Sequence, residues 1–385
     1  MMPKIYFYTT SREGPPEGAY FQDLIVNLAT GFKQLGIKYY ANHNYWQIAP
    51  NSDRTLLEVN PDVTHHDCDI VILERQYYEE NKCLPKDLFI PSRQYKTVYL
   101  DCSDGIDGIK TLSWLPKFRQ FDFIFKTHYS SHIKHPSNFY PWAFGLSERV
   151  LTQLKTEIPW TQKQQSMLVN FRNKRFSHSL RGYVKKTLLS QIEEIMSINM
   201  ACDNELDFPQ DPYHYLRWAQ TGRRHYPNYY QRLQTSAACA CCGGYFLGPS
   251  LSDRYGTITY YIARIISELG IKTNRIYQWD SWRFWESMAA GCVTFHIDFE
   301  KYGCVLPVMP KNWRHYIGID LDNISESIDR IADQPEVLER ISAEGRTWAI
   351  ENYGPLPAAK RFLETVAGVK ASDLRELQSE VNIAR

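Results

Sequence analysis

The chain has 385 residues, 44 basic against 43 acidic side chains and a net charge of +1, so no global charge draws it to nucleic acid or to an anionic membrane. Its length implies about two domains, each large enough for a full core. No run reaches the ~18 apolar residues needed to span a bilayer, and the opening MMPKIYFYTT passes into a strand pattern without a signal-peptide core.

Lys4 to Thr10 reads as an apolar strand, followed by the loop Ser11 to Pro16, which carries Glu13. Ala19 to Leu35 has helical periodicity through Leu24, Leu28, Phe32 and Leu35 and stops at Gly36; Ile37 to Ala41 is a second strand. This β-α-β unit opens a doubly wound α/β domain. Three more strands are predicted at Cys68 to Leu73, Thr97 to Leu100 and Phe121 to Phe125. Each is followed at once by polar residues: Glu74 to Gln76, Asp101 to Gly105, and Lys126 to His128. Open α/β sheets bind ligands outside the carboxyl ends of their strands, so these residues form one candidate rim.

The pattern loosens between Tyr140 and Trp160, which reads as a connection between domains. A second strand-first unit starts at Ser166 to Asn170. Its loop FRNKRFSHSLR holds Arg172, Lys174, Arg175 and Arg181 and runs into a helix from Ser179 to Ile198. Four cations at one strand-to-helix turn either line a pocket for a phosphate-bearing ligand or form a solvated basic loop. Asp211 to Arg232 is polar and aromatic, with a helix around Asn228 to Gln234; Ser236 to Phe246 is a small-residue strand, and Thr257 to Leu269 a helix. Cys239, Cys241 and Cys242 are too tightly spaced for a zinc ligand pair, so no metal site is expected. The odd total of nine cysteines points to free thiols in a reducing, cytoplasmic setting.

Gln278 to Gly303 combines a polar turn, a short helix capped by Asp280 or Ser281, a stop at Gly291 and a buried strand from Cys292 to Ile297. Arg283 in the first turn opposes the helix dipole by about 0.3–1 kcal/mol unless an anion is held there. Either it joins Glu286 in a surface i,i+3 pair or both face a ligand cleft. Beyond this stretch a strand is predicted at Trp313 to Ile319, and helices at Ile324 to Ala332 and Pro335 to Ile350.

The segment from Ser281 to Thr294, SWRFWESMAAGCVT, resembles a signature of GT-B glycosyltransferases, in particular the exostosin-like and family-1-like groups. Gly345 to Pro355, GRTWAIENYGP, is similar to the closing segment of such chains. The resemblance covers about residues 235 to 365 and implies two Rossmann-like doubly wound domains facing across a cleft. These are an acceptor-binding domain over 1–145, a linker over 146–160, a donor domain over 161–355 and a helical tail over 356–385. It implies metal-independent transfer of a sugar from a UDP- or GDP-linked nucleotide-sugar donor to a hydroxyl of a carbohydrate or small-molecule acceptor. No other cofactor, no nucleic acid partner and no membrane segment are expected. By position in the family, Glu286 meets the donor ribose, and Ser281 and Arg283 the diphosphate or sugar, with Arg172, Arg181 and Asp280 nearby. Asp104, Glu13 and His128 are the candidate catalytic groups on the acceptor side. Gln278 stands where many retaining members carry a glutamate, and Thr294 where proline is usual, which leaves retaining or inverting chemistry open. The other readings are a GT-B-like sugar-nucleotide epimerase and a non-catalytic nucleotide-sugar-binding protein.

Overall fold

A computed structural model describes residues 2–10, 23–105, 115–171, 178–200, 208–223, 226–246, 265, 269 and 271–374. The loop bearing Glu13, the stretch 172–177 with Arg172, and most of the helix expected over 257–269 lie outside the described residues.

The first half is built from β1 (Ile5–Tyr8), α1 (Asp23–Gln34), β2 (Tyr39–Ala41), β3 (Tyr45–Gln47), β4 (Thr55–Leu57), β5 (Ile70–Glu74), α2 (Arg75–Asn81), β6 (Lys96–Asp101), β7 (Phe123–Lys126) and β8 (Phe139–Pro141). Six of the strands form one parallel sheet in the order β2-β1-β5-β6-β7-β8. The strand residues alternate between two buried layers. Ile5, Phe7, Ile70, Ile72, Val98 and Leu100 face α1, whereas Tyr6, Val71, Leu73 and Tyr99 pack with Phe118 and Phe121. β3 and β4 form a separate antiparallel hairpin that the sequence did not announce.

The second half follows with α3 (Glu148–Gln153), β9 (Gln164–Leu168), α4 (Ser179–Ile192), β10 (Ser197–Asn199), α5 (Pro212–Gln220), α6 (Pro227–Thr235), β11 (Ser236–Ala240), β12 (Tyr245–Phe246) and β13 (Ile276–Tyr277). Next come α7 (Trp282–Ala289), β14 (Val293–Ile297), β15 (Ile317–Ile319), α8 (Ile324–Asp333), α9 (Val337–Tyr353) and α10 (Pro355–Ala367). Its parallel sheet has the order β10-β9-β11-β14-β15. The helix expected from Ser179 to Ile198 stops at Ile192, because Ser197–Asn199 is recruited as an edge strand on β9. The strand expected from Ser236 to Phe246 splits, since the chain turns at Gly243-Gly244 against the backbone of Gln278.

Both sheets reverse strand order next to their first strand, β1 against β5 and β9 against β11. Crevices of doubly wound sheets open at such switch points. The loops beyond the strand ends meet across the domains: Ser131 N–H donates to Gly303 O at 2.8 Å, and Val305 N–H donates to Tyr129 O at 3.0 Å.

After α9 the described chain returns to the half where it began. α10 lies in the stretch expected as a tail, yet Ala359, Phe362, Leu363 and Val366 are fully buried with α1 and the first sheet. Phe362 packs edge-on against Phe32, with ring centroids 5.5 Å apart. The two helices approach through Gly31, where an added Cβ would stand 2.2 Å from Pro355 O and 2.5 Å from Ala359 Cβ. Backbone has no room to yield there, so Gly31→Ala is expected to destabilise the chain by about 1–3 kcal/mol in urea unfolding.

Candidate functional site

The second domain supplies a cationic floor. α7 begins at Trp282, and its N-cap residue Ser281 has extended backbone but makes no capping bond. Ser281 Oγ is buried with no hydrogen-bond partner among the described residues. The position of the cap therefore agrees with the sequence expectation, whereas the bond itself is missing and the helix terminus is left uncapped by side chains. Arg283 projects from this first turn, half-buried, and no described carboxylate lies within ion-pair distance of it. The expected alternative, a surface pair with Glu286, does not form. Glu286 points inward, 2 % exposed, and its Oε2 accepts from Tyr229 OH at 2.7 Å.

Arg181, in the first turn of α4, is buried, with its guanidinium 5.7 Å from the centre of the Phe171 ring. Burial first, and then the charge of Arg283, push its pKa down to about 9. Two arginines thus repel each other beside an uncapped helix N-terminus at the switch point of the second sheet. An anion between them would turn that repulsion into joint attraction.

The first domain supplies the opposite wall. His128 follows β7 with φ 55°, a left-handed conformation that aims its ring at the second domain. Its Nδ1 accepts the backbone N–H of Asp280 at 3.0 Å. That bond fixes the tautomer, so Nε2 carries the proton; this nitrogen is buried and has no hydrogen-bond partner among the described residues. A neutral ring held in this tautomer can donate from Nε2 and has no free lone pair to take a proton. Burial, and then the nearby Lys126 charge, hold its pKa well below the usual imidazole range. Nε2 lies 3.8 Å from Asp104 Oδ1. Asp104 is the more open group, with its side chain 54 % exposed, and its Oδ2 accepts from Gln278 Nε2 at 2.5 Å.

Asp280 ties the interdomain connection to α7. Its Oδ2 accepts from Phe144 N–H at 3.0 Å and its Oδ1 from Trp285 Nε1–H at 2.8 Å. Both oxygens are engaged in holding the interdomain connection to α7, at the position where the sequence suggested a ligand contact. Burial pushes its pKa up to about 7, against the pull of the N–H donors. The structure thus brings Asp104, His128, Arg181, Ser281 and Arg283 to one place, with Glu286 beneath them.

Three further groups carry weight, two of them on the rim that the sequence marked at the ends of β5 and β7. Lys126 is fully buried, donates to Ser103 O at 2.7 Å and lies 3.8 Å from Asp101 Oδ1. Glu74 ends β5 at the first switch point, with Oε2 buried and unpartnered among the described residues and its pKa raised well above the carboxylate range by burial. Lys163 donates to Ala290 O at 3.0 Å and Gln234 O at 2.7 Å, closing the far ends of α7 and α6. The apolar-then-charged strand ends signalled the first two; nothing local signalled Lys163. Among the described residues no group of three or more His, Cys, Asp or Glu is placed to hold a metal ion, and no helix is long and apolar enough to cross a membrane.

Asp23 behaves like Asp280: burial, then the Glu286 charge, raise its pKa to about 7. Both carboxyl groups bind protons more tightly folded than unfolded, where 3.8 is usual. Their contribution is complete below about pH 4 and is lost as pH rises through about 7. Unfolding free energy from urea titrations should fall across that window, and Asp280→Asn should flatten the slope. The same substitution turns an amide N–H₂ toward an N–H donor, with an expected loss of about 1–3 kcal/mol.

No family model and no curated protein matches the chain by sequence. Solved structures do match in shape. An alpha-glucosyltransferase in complex with UDP-glucose and DNA containing an abasic site superposes with a TM-score of 0.51 at 10% identity, covering 95% of this chain and 100% of the other. An alpha-glucosyltransferase in complex with UDP and a 13-mer DNA containing an HMU base gives 0.52 at 10% identity over the same shares. At such identity the likeness speaks for the fold: two Rossmann-like domains in the GT-B arrangement.

Proposed function

We propose that the chain is a glycosyltransferase that moves a sugar from a UDP- or GDP-linked donor to a hydroxyl group. The observation that carries this reading is the Arg181–Arg283 pair at the uncapped N-terminus of α7, faced by Asp104 and His128 from the other domain.

Transfer breaks the bond between the anomeric carbon and the diphosphate and forms one to the acceptor oxygen, whose proton must leave. The departing diphosphate gathers negative charge, and preorganised donors aimed at such charge lower the barrier most. Arg181, Arg283 and the first N–H groups of α7 are those donors. The sugar then extends from α7 toward the first domain, where His128 Nε2–H is a fixed donor to one of its hydroxyls. Asp104, the exposed carboxylate of the pair, takes the acceptor proton or bonds a sugar hydroxyl. Glu286, bonded to Tyr229, supports α7 from below, on the side where the family places the ribose. Glu13 and Arg172 keep the expected roles of acceptor-side base and diphosphate contact in this proposal.

The acceptor is proposed to be a carbohydrate or small-molecule hydroxyl, consistent with a net charge of only +1. The alpha-glucosyltransferase structures were solved with DNA, so an oligonucleotide containing an HMU base belongs in the acceptor panel.

Arg283→Ala tests the donor site. It should lower turnover of the preferred nucleotide sugar by about a hundredfold or more, as loss of one charge-stabilising donor does. The melting temperature should stay within about 2 °C, because Arg283 makes no ion pair among the described residues. Unchanged kinetics in that variant, or a wild-type chain that binds nucleotide and never releases it from any sugar, would contradict the proposal.

A further inference from the structure

Gln278 is an unusual residue in a conspicuous place. Its φ of 57° puts a non-glycine side chain in the left-handed region, three residues ahead of the Ser281 cap. Such backbone costs on the order of 1–3 kcal/mol and persists where the surroundings enforce it. Here a diglycine enforces it. An added Cβ on Gly243 would stand 2.6 Å from Gln278 O, and one on Gly244 would stand 2.4 Å from Gln278 Oε1. Gly244 N–H also donates toward the carbonyls of Tyr277 and Gln278, at 3.2 Å each. The flat glycine backbone holds the side-chain oxygen on one side, which leaves Nε2 directed across the domain boundary to Asp104 Oδ2.

The geometry at Asp104 depends on that amide being neutral. The charged and titratable groups that described elements turn toward Asp104 are His128 and Lys126 from the end of β7 and Arg181 from α4. His128 is held as a neutral donor and Lys126 is spent on Ser103. Gln278 is the described group in direct hydrogen-bond contact with the carboxylate. A glutamate at 278 would place two carboxylates within hydrogen-bond distance, and such pairs share one proton and titrate as a unit.

Resting on the transferase reading, we propose that Gln278 is a positioning residue: its amide holds and orients the Asp104 carboxylate over the cleft. The donor domain thereby sets the orientation and charge of a group in the acceptor domain. The carboxylate at this edge of the site is then provided by Asp104 from the first domain rather than by residue 278 of the second. The orientation of the Asp104 carboxylate thus depends on a contact made between the two domains.

Gln278→Glu and Gln278→Leu test this in the full-length protein. In Gln278→Glu the acid limb of kcat/KM against pH should move up by about one unit or more. In Gln278→Leu kcat should fall about tenfold or more while KM for the donor changes little, because the carboxylate remains and loses its orientation. The double variant D104N/Q278E, with one carboxylate restored, should return the limb toward its wild-type position. A purely structural role would lower stability in both single variants and leave the limb where it was.

The titration of Asp104 Cγ by carbon-13 NMR, assigned by its disappearance in Asp104→Asn, separates this inference from the transferase reading. A rise of about one unit or more in Gln278→Glu supports the pairing even in a chain that turns over no donor, which would count against the transferase reading alone. An Asp104 titration identical in wild type and Gln278→Glu would overturn the pairing, whatever the turnover.

Discussion

Asp280 is the point on which the two domains and the site depend together. Its carboxylate takes the amide of Phe144 from the interdomain connection and the indole of Trp285 from α7, and its own amide donates to His128. One buried residue therefore sets where the connection runs and how α7 is turned through its carboxylate, and which nitrogen of His128 holds the proton through its backbone N–H. Burying a carboxylate is costly unless its lone pairs are satisfied, and here well-placed N–H donors meet that cost. The expense is acceptable because the same bonds preorganise groups from both sheets.

The packing around this latch keeps the relation between domains narrow. Tyr353 at the end of α9 packs tilted against Trp285, with ring centroids 4.2 Å apart, and its hydroxyl contacts Val308 through both N–H and carbonyl. Leu146 N–H donates to Tyr353 O at 2.8 Å, so the outgoing connection and the returning chain are bonded side by side. α10 then buries its apolar face on α1. On the other side of the molecule Arg217 of α5 donates to the carbonyls of Gln47 and Ile48 at the β3–β4 hairpin, at 2.8 and 3.0 Å. The strand ends that carry chemistry thus face each other between two seams of contact.

Much of this was legible in the sequence because it rests on local periodicity. The apolar runs at Ile70–Glu74 and Lys96–Asp101, each ending in a charge, announce both a buried parallel strand and its rim. Ser281, Trp282 and Arg283 announce a helix start with a cation where a dipole disfavours one. What stayed hidden is set by contacts distant in sequence. Ser197–Asn199 has helical neighbours and becomes a strand because β9 offers an edge. Asp280 looks like a donor-site acid until Phe144 and Trp285 are seen to occupy it. The fate of the last helix was equally hidden, since an amphipathic stretch after Gly354 reads the same whether it lies free or seals a core 324 residues earlier at Gly31. Gln278 looked like a missing carboxylate, and its partner in the other domain, Asp104, supplies one.

The central claim is that a nucleotide diphosphate is held by the first turn of α7 between Arg283 and Arg181. Backbone hydrogen exchange measured with and without saturating UDP or GDP tests it most directly. The account predicts slowed exchange at the amides of 282–284 and at the start of α4, with little change at β3–β4. Unchanged exchange in α7, with protection elsewhere in the chain, would contradict it.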